Sequence, residues 1–210
     1  MLITELAKEI HENAVAHGWW EDKREAPEIN ALIHSEWSEA LEEARAGRPL
    51  VWYACGETNN ESIPCNPADD TECRMYGHEA ECEYRGHKPE GIAVELIDGC
   101  IRILDYMGEL NAEFSKDDMP YHVHQLYTYN NIKKVPESLP ELVAVLHIYT
   151  SMSIMGRSYH DLNIPDVFKL IEAMAAAMSW VAKQGLDPLA ILLEKHEYNK
   201  GRPYKHGKKF

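Results

Sequence analysis

Two pairs of acidic residues, each at a spacing of three, carry the clearest chemistry in this chain: Glu36 with Glu39, and Glu95 with Asp98. Residues three apart on an α-helix stand one turn above each other, so each pair presents its carboxylates together. Two helices that turn such pairs toward one another can surround one or two hard divalent cations with oxygen, leaving positions for water and phosphate. Magnesium is the natural occupant and manganese its substitute. A single Glu-x-x-Glu is usually a solvated acidic face, but two such pairs in one chain are much less common.

The helices that must position these groups are read from apolar periodicity. Taken at 100° per residue, Ile29, Leu32, Ile33, Trp37, Ala40, Leu41 and Ala44 define one arc, with Glu36 inside it and Glu39 on its flank. Glu43 falls close to Glu36 in angle, whereas Glu42 points further toward solvent. A carboxylate inside such an arc calls for a partner, because burying it ionised and unpaired costs several kcal/mol. On the later helix Ile92, Ala93, Leu96, Ile97, Cys100, Ile101, Ile103, Leu104 and Met107 cover more than half the circumference. That leaves a narrow polar strip of Glu95, Asp98, Arg102 and Asp105.

The stretches His34-Ser35-Glu36-Trp37-Ser38-Glu39-Ala40-Leu41-Glu42-Glu43 and Gly91-Ile92-Ala93-Val94-Glu95-Leu96-Ile97-Asp98 resemble the MazG-like all-α nucleoside triphosphate pyrophosphohydrolases. In that family Glu-x-x-Glu lies on one helix and Glu-x-x-Asp on a later one. The resemblance implies magnesium-dependent cleavage of a (deoxy)nucleoside triphosphate to the monophosphate and pyrophosphate, in nucleotide-pool sanitation. It makes Glu36, Glu39, Glu95 and Asp98 the metal ligands and catalytic centre, and leaves Glu43 either a neighbouring ligand or an ordinary helix residue. The chain departs from the pattern in the long segment between the two pairs, from Pro49 to His87.

Against an acidic background, Lys195, Lys200, Arg202, Lys205, Lys208 and Lys209 gather in the last sixteen residues. As a solvated tail they need no function; as a clamp they suit a triphosphate, since Arg offers phosphate a planar fork and Lys a mobile charge. The string from Lys195 through Asn199, Arg202 and Tyr204 to Lys208 is similar to the C-terminal signature of phage-like and bacterial members of the same family. That similarity implies phosphate or sugar contacts from Lys195, Asn199, Arg202 and Lys208. Near the end of the first helix, His17-Gly18-Trp19-Trp20 resembles the aromatic entrance of related nucleotide hydrolases. Trp19 or Trp20 could stack on a base there, although core packing is the commoner fate of a Trp.

The Pro49 to His87 segment reads as an irregular insertion between the second and third helices, with no strand-like alternation. Cys55, Cys65, Cys73 and Cys82, with His78 and His87, could close a structural zinc site that orders it. No pair has Cys-x-x-Cys spacing, so reduced free thiols are the alternative.

The expected fold is an all-α bundle of about six helices in one 210-residue domain, with residues 187–210 forming the last helix and basic tail. The helices run near Leu2 to Ala16, Pro27 to Gly47, from after Lys88-Pro89 to about Leu110, Leu139 to Met155, Pro165 to Lys183, and from Pro188 to about Asn199. Leu32-Ile33-His34 is echoed by Val145-Leu146-His147, and Leu96-Ile97-Asp98 by Leu170-Ile171-Glu172, as a decayed duplication would leave. A charge of −14 disfavours binding a nucleic-acid polymer, whose affinity comes from phosphate neutralisation by Lys and Arg. The acidic residues near the N-terminus do not fit a signal peptide, and no apolar run suits a membrane span, so the expectation is a cytoplasmic protein. Apolar faces on short bundles are commonly closed by a second subunit, which points to a homodimer or higher assembly.

Rival readings stand beside this one. Ferritin-like di-metal sites use Glu-x-x-His pairs, which are absent, and the zinc deaminase and protease signatures are absent too. A narrower dUTP or dCTP specificity fits the same residues. So does a non-enzymatic helical binding module with a zinc-stabilised protrusion.

Overall fold

A computed structural model describes residues 1–58, 61–65, 88–110, 123–155 and 166–207. The fold is all-α. Among the described residues six helices of three turns or more form the body: α1 (Ile3–Ala16), α2 (Ala26–Arg45), α3 (Ile92–Glu109), α4 (Leu139–Met152), α5 (Val167–Lys183) and α6 (Pro188–Lys200). Their ends follow local chemistry. Pro27 sits in the first turn of α2, the Ser138 hydroxyl accepts from the Glu141 amide at the start of α4, and Asp187 accepts from the Leu189 and Ala190 amides at the start of α6.

The helix α3 lies at the centre, packed by α1, α2, α5 and α6. Its apolar residues reach nearly all round, which is why it has neighbours on so many sides. Leu96, Ile97, Cys100, Ile103 and Leu104 are fully buried with Ile33 and Trp37 of α2 and Leu6 of α1. At the crossing of α2 and α3 the Trp37 ring lies over Gly99, where an added Cβ would stand 2.2 Å from it. Gly99→Ala should therefore force the helices apart and lower stability by about 1–3 kcal/mol in urea denaturation. An unchanged midpoint would mean that the crossing is not tight.

Polar pins fix α2 against α4. The Trp37 indole donates to Thr150 Oγ1 at 3.0 Å, and the Asn30 amide donates to the Thr150 carbonyl at 2.8 Å. His34 and His147, from the two echoing triplets, meet at the same seam with Nδ1 atoms 2.6 Å apart. The other echo also falls on touching helices, α3 and α5.

The expectation of an irregular insertion is corrected in its first part, and a further strand follows it. Strands β1 (Trp52–Thr58), β2 (Glu61–Cys65) and β3 (Lys88–Glu90) form an antiparallel sheet in the order β2-β1-β3. The alternation is too short to read: Trp52 and Ala54 turn inward around half-buried Tyr53, and the register shifts between Ala54 and Glu57. Pro64 and Pro89 both lie on edge strands, where a missing backbone donor is tolerated. Gly91 then carries the chain from β3 into α3 at φ 111, close against the Pro49 and Leu50 carbonyls. The sheet thus fixes where α3 begins, and with it the height of Glu95. Cys55 and Cys65 lie on paired strands, while the rest of the expected zinc set, Cys73, Cys82, His78 and His87, lies outside the described residues. No described helix is long and apolar enough to cross a membrane.

Candidate metal and phosphate site

Glu36 and Glu39 of α2 face Glu95 of α3, and each of the three offers a carboxylate oxygen within 4.8 Å of the others. Glu36 and Glu95 are buried and Glu39 is exposed, so the cluster runs from the interior to solvent. Asp98 is drawn to one side: its Oδ2 takes a 3.0 Å ion pair from Lys195, whose Nζ also donates to the Pro89 carbonyl at 2.9 Å. The three glutamates are therefore brought together, and Asp98 stands beside them in another pairing.

The electrostatics of this cluster are adverse without a cation. Burial raises the Glu95 carboxyl to about 9; Asp98 and Glu36 push the same way, against Lys195. Burial raises Glu36 as well, with Asp98 and Glu39 adding to it and the Arg102 guanidinium opposing. Arg102 is in direct contact with Glu36 through its Nε. Burial also works against the Lys195 charge, but Asp98 and Glu95 outweigh it and hold the ammonium above its ordinary range.

Lys195 is only 2% exposed, and the Pro89 carbonyl and the Asp98 carboxylate are its partners among the described residues. Lys195→Met should cost about 3 kcal/mol in urea denaturation, because it leaves Asp98 beside two glutamates without its cation. A variant as stable as the parent would show that Asp98 does not need this partner.

These groups open on a cavity of about 510 Å³. Beyond the carboxylates its wall carries Arg24, Lys88, Arg102, Lys195 and Arg202, together with Asn13, His17, Trp19 and Asn199. Trp19 is half-buried with the Arg24 guanidinium 5.4 Å from its ring centroid. Trp20 is turned elsewhere: its indole donates to Asp105 Oδ1 at 2.9 Å and its ring meets His11 edge-on. The Asn199 Oδ1 is buried and has no hydrogen-bond partner among the described residues. Arg202 is held by its backbone, whose carbonyl lies 2.9 Å from His17 Nε2.

The basic tail divides. Lys195, Asn199 and Arg202 line the cavity, while Lys200 pairs with Glu9 and Glu197, and Lys205 pairs with Glu21. Lys208 lies outside the described residues. Glu43 accepts from the Trp52 indole at 2.8 Å, which ties α2 to β1. Arg102, Arg24 and Lys88 are basic residues of the cavity wall to which sequence reasoning gave no role. Arg102 carried a signal, one turn beyond Asp98 in the narrow polar strip of α3. Arg24 and Lys88 carried none, because a turn and a sheet edge bring them in.

No protein-family model, curated protein or solved structure matches this chain.

Proposed function

We propose that this chain is a magnesium-dependent nucleoside triphosphate pyrophosphohydrolase, cutting between the α and β phosphates to release a nucleoside monophosphate and pyrophosphate. The observation that carries the reading is a three-carboxylate cluster on the wall of a cavity that also presents Arg24, Lys88, Arg102 and Arg202. The resemblance of the two acidic stretches to the MazG-like family supports it.

The residues fit a hard divalent cation. All the donors are carboxylate oxygens, and burial and mutual repulsion raise Glu36 and Glu95, so a dication would relieve a cost already present. Glu36, Glu39 and Glu95 would hold it, with Asp98 adjacent. When bound there, magnesium or manganese would neutralise triphosphate charge and make water more acidic.

The protein's own groups do the rest. The guanidinium groups of Arg24, Arg102 and Arg202 offer forked donors to phosphate oxygens, and Lys88 adds a point charge toward departing pyrophosphate. Glu39, the exposed member of the cluster, is the carboxylate with access to an attacking water and its proton. Lys195 keeps Asp98 in place. Trp19 provides a flat surface for a base, and stacking of this kind tolerates every base.

The test is incubation of the purified chain with canonical and modified nucleoside triphosphates plus magnesium, following pyrophosphate against phosphate. Pyrophosphate from at least one of them is expected. Release of phosphate alone, or no release from any nucleotide, would sink the reading and favour a helical binding module.

A further inference from the structure

We propose that Arg102 couples metal to phosphate: in the metal-free protein its guanidinium holds Glu36, and a dication arriving at the carboxylate cluster releases it to bind a phosphate-type anion. The proposal rests on the metal-and-phosphate reading of the site and adds to it how the two charges depend on one another.

Lys195 and Arg102 both stand against the cluster, on different terms. Lys195 is almost fully buried and tied twice, to the Asp98 carboxylate and the Pro89 carbonyl, so it cannot leave without stranding a buried charge. Arg102 has 37% of its side chain exposed and lies on the cavity wall. Its Nε donates to Glu36 Oε1. Glu36 is also one of the three carboxylates whose oxygens come within 4.8 Å of one another. One group thus serves both as counter-ion to the guanidinium and as a member of the cation cluster.

Charge sets these two duties in competition. Burial works against the guanidinium's charge, but Glu36, with Asp98 and Glu39 behind it, outweighs burial and holds the group in place. A dication held by Glu36, Glu39 and Glu95 would cancel that field and set like charge beside Arg102. A lysine or histidine here could answer by losing its proton. Arginine cannot, because its guanidinium stays charged at any ordinary pH, so it must move instead.

The neighbouring carboxylates of α3 are already engaged. Asp98, one turn before Arg102, is paired with Lys195; Asp105, nearly one turn after it, accepts from the Trp20 indole and lies 2.8 Å from His11 Nδ1. A displaced guanidinium is therefore directed to an anion in the cavity, where Arg24, Lys88 and Arg202 share the wall. Metal and anion then strengthen each other's binding, and linkage makes the gain equal in both directions. Polyphosphate that comes without a cation meets an arginine already occupied, so the site favours the metal-complexed form.

Manganous ion bound to the full chain, counted by electron paramagnetic resonance at pH 8 with and without sulfate and against protein-free blanks, tests the coupling. In the parent chain sulfate should tighten manganese binding severalfold. Arg102→Met should bind manganese about tenfold more tightly without sulfate, since removing a like charge favours a dication more than the single proton that competes with it. Most of the sulfate effect should disappear in this variant. Arg102→Gln, which keeps a donor for Glu36 without the charge, should behave alike, and it decides the question if Arg102→Met loses helical circular dichroism. Lys183→Met removes a cation that pairs with Glu137 outside the cavity wall and should leave both readings unchanged. Equal manganese affinity in the parent and the Arg102 variants, or a sulfate effect that survives in them, would overturn the proposal while leaving the metal site standing. A parent chain that binds no manganese would remove the site and the proposal together. Coupling of the expected size in a chain that cleaves no nucleotide would support the proposal and strike only the reaction.

Discussion

Glu95→Gln is expected to lower magnesium-dependent pyrophosphate release by roughly a thousandfold, and also to make the metal-free protein more stable at pH 8. The first effect follows if the dication contributes several kcal/mol of transition-state stabilisation, each 1.4 kcal/mol being about a factor of ten. The second follows from burial. Glu95 is 6% exposed with its carboxyl pushed up to about 9, so at pH 8 folding holds on a proton that the unfolded chain would release. Glutamine supplies the same shape, already neutral. Lys195 keeps its pairing with Asp98 in the variant, so no new charge is stranded.

Glu36→Gln provides the contrast. It should abolish activity to a similar degree without stabilising the fold, because it takes from the Arg102 guanidinium the carboxylate it touches. Steady-state pyrophosphate release and urea denaturation in the presence of a chelator measure the two quantities separately. A Glu95→Gln variant that keeps its activity would remove this residue from the catalytic centre, whatever its stability.

The helices were legible because apolar residues recur at helical spacing in most of them and because most carry a local end signal, as in Asp187-Pro188 before α6 and Gly185 after α5. All-α was therefore readable, down to α3 as the most enclosed helix. The sheet was not: β3 is three residues long and β1 is broken by a register shift, so neither gives an alternation that a window could detect. Start points also drifted. α5 begins at Val167 rather than Pro165, because the Asp166 side chain accepts from the Phe168 amide and caps the helix there.

At the site, the meeting of Glu36, Glu39 and Glu95 is the part that helical spacing could foresee. Periodicity put Glu36 inside an apolar arc and Glu95 on a narrow strip of an otherwise apolar helix. The sequestration of Lys195 was out of reach. It sits in a run of Glu, Lys, His and Asn that reads as a solvated tail, and only the Pro89 carbonyl on β3 and Asp98 on α3, distant in sequence, draw the ammonium inward. Trp19 and Trp20 were indistinguishable as neighbours. Asp105 captures the second one's indole and leaves the first on the cavity wall.

Between pH 7.5 and 9 the metal-free protein should lose stability as pH rises, and magnesium should reverse most of that loss. A carboxyl whose folded pKa is raised contributes stability that is whole below its unfolded value near 4.5 and gone once pH has passed the folded value near 9. For one proton the slope is at most about 1.4 kcal/mol per pH unit. Glu36, raised by burial, acts in the same sense. His34, His147 and His196 are lowered by burial, so they act in the opposite sense, but their change is largely complete above the unfolded value near 6.5. His11, raised chiefly by its bond to Asp105, shares the sign of Glu95, and the Glu95→Gln comparison separates the two. A cation held by the cluster favours the ionised carboxylates, so the rise in melting temperature on adding magnesium should grow from pH 7.5 to pH 9. In Glu95→Gln both the slope and the magnesium effect should shrink together. Metal-free stability that climbs across this range would mean that Glu95 is solvated and ionised in the folded chain, and with that the electrostatic case for a cation between α2 and α3 would fall.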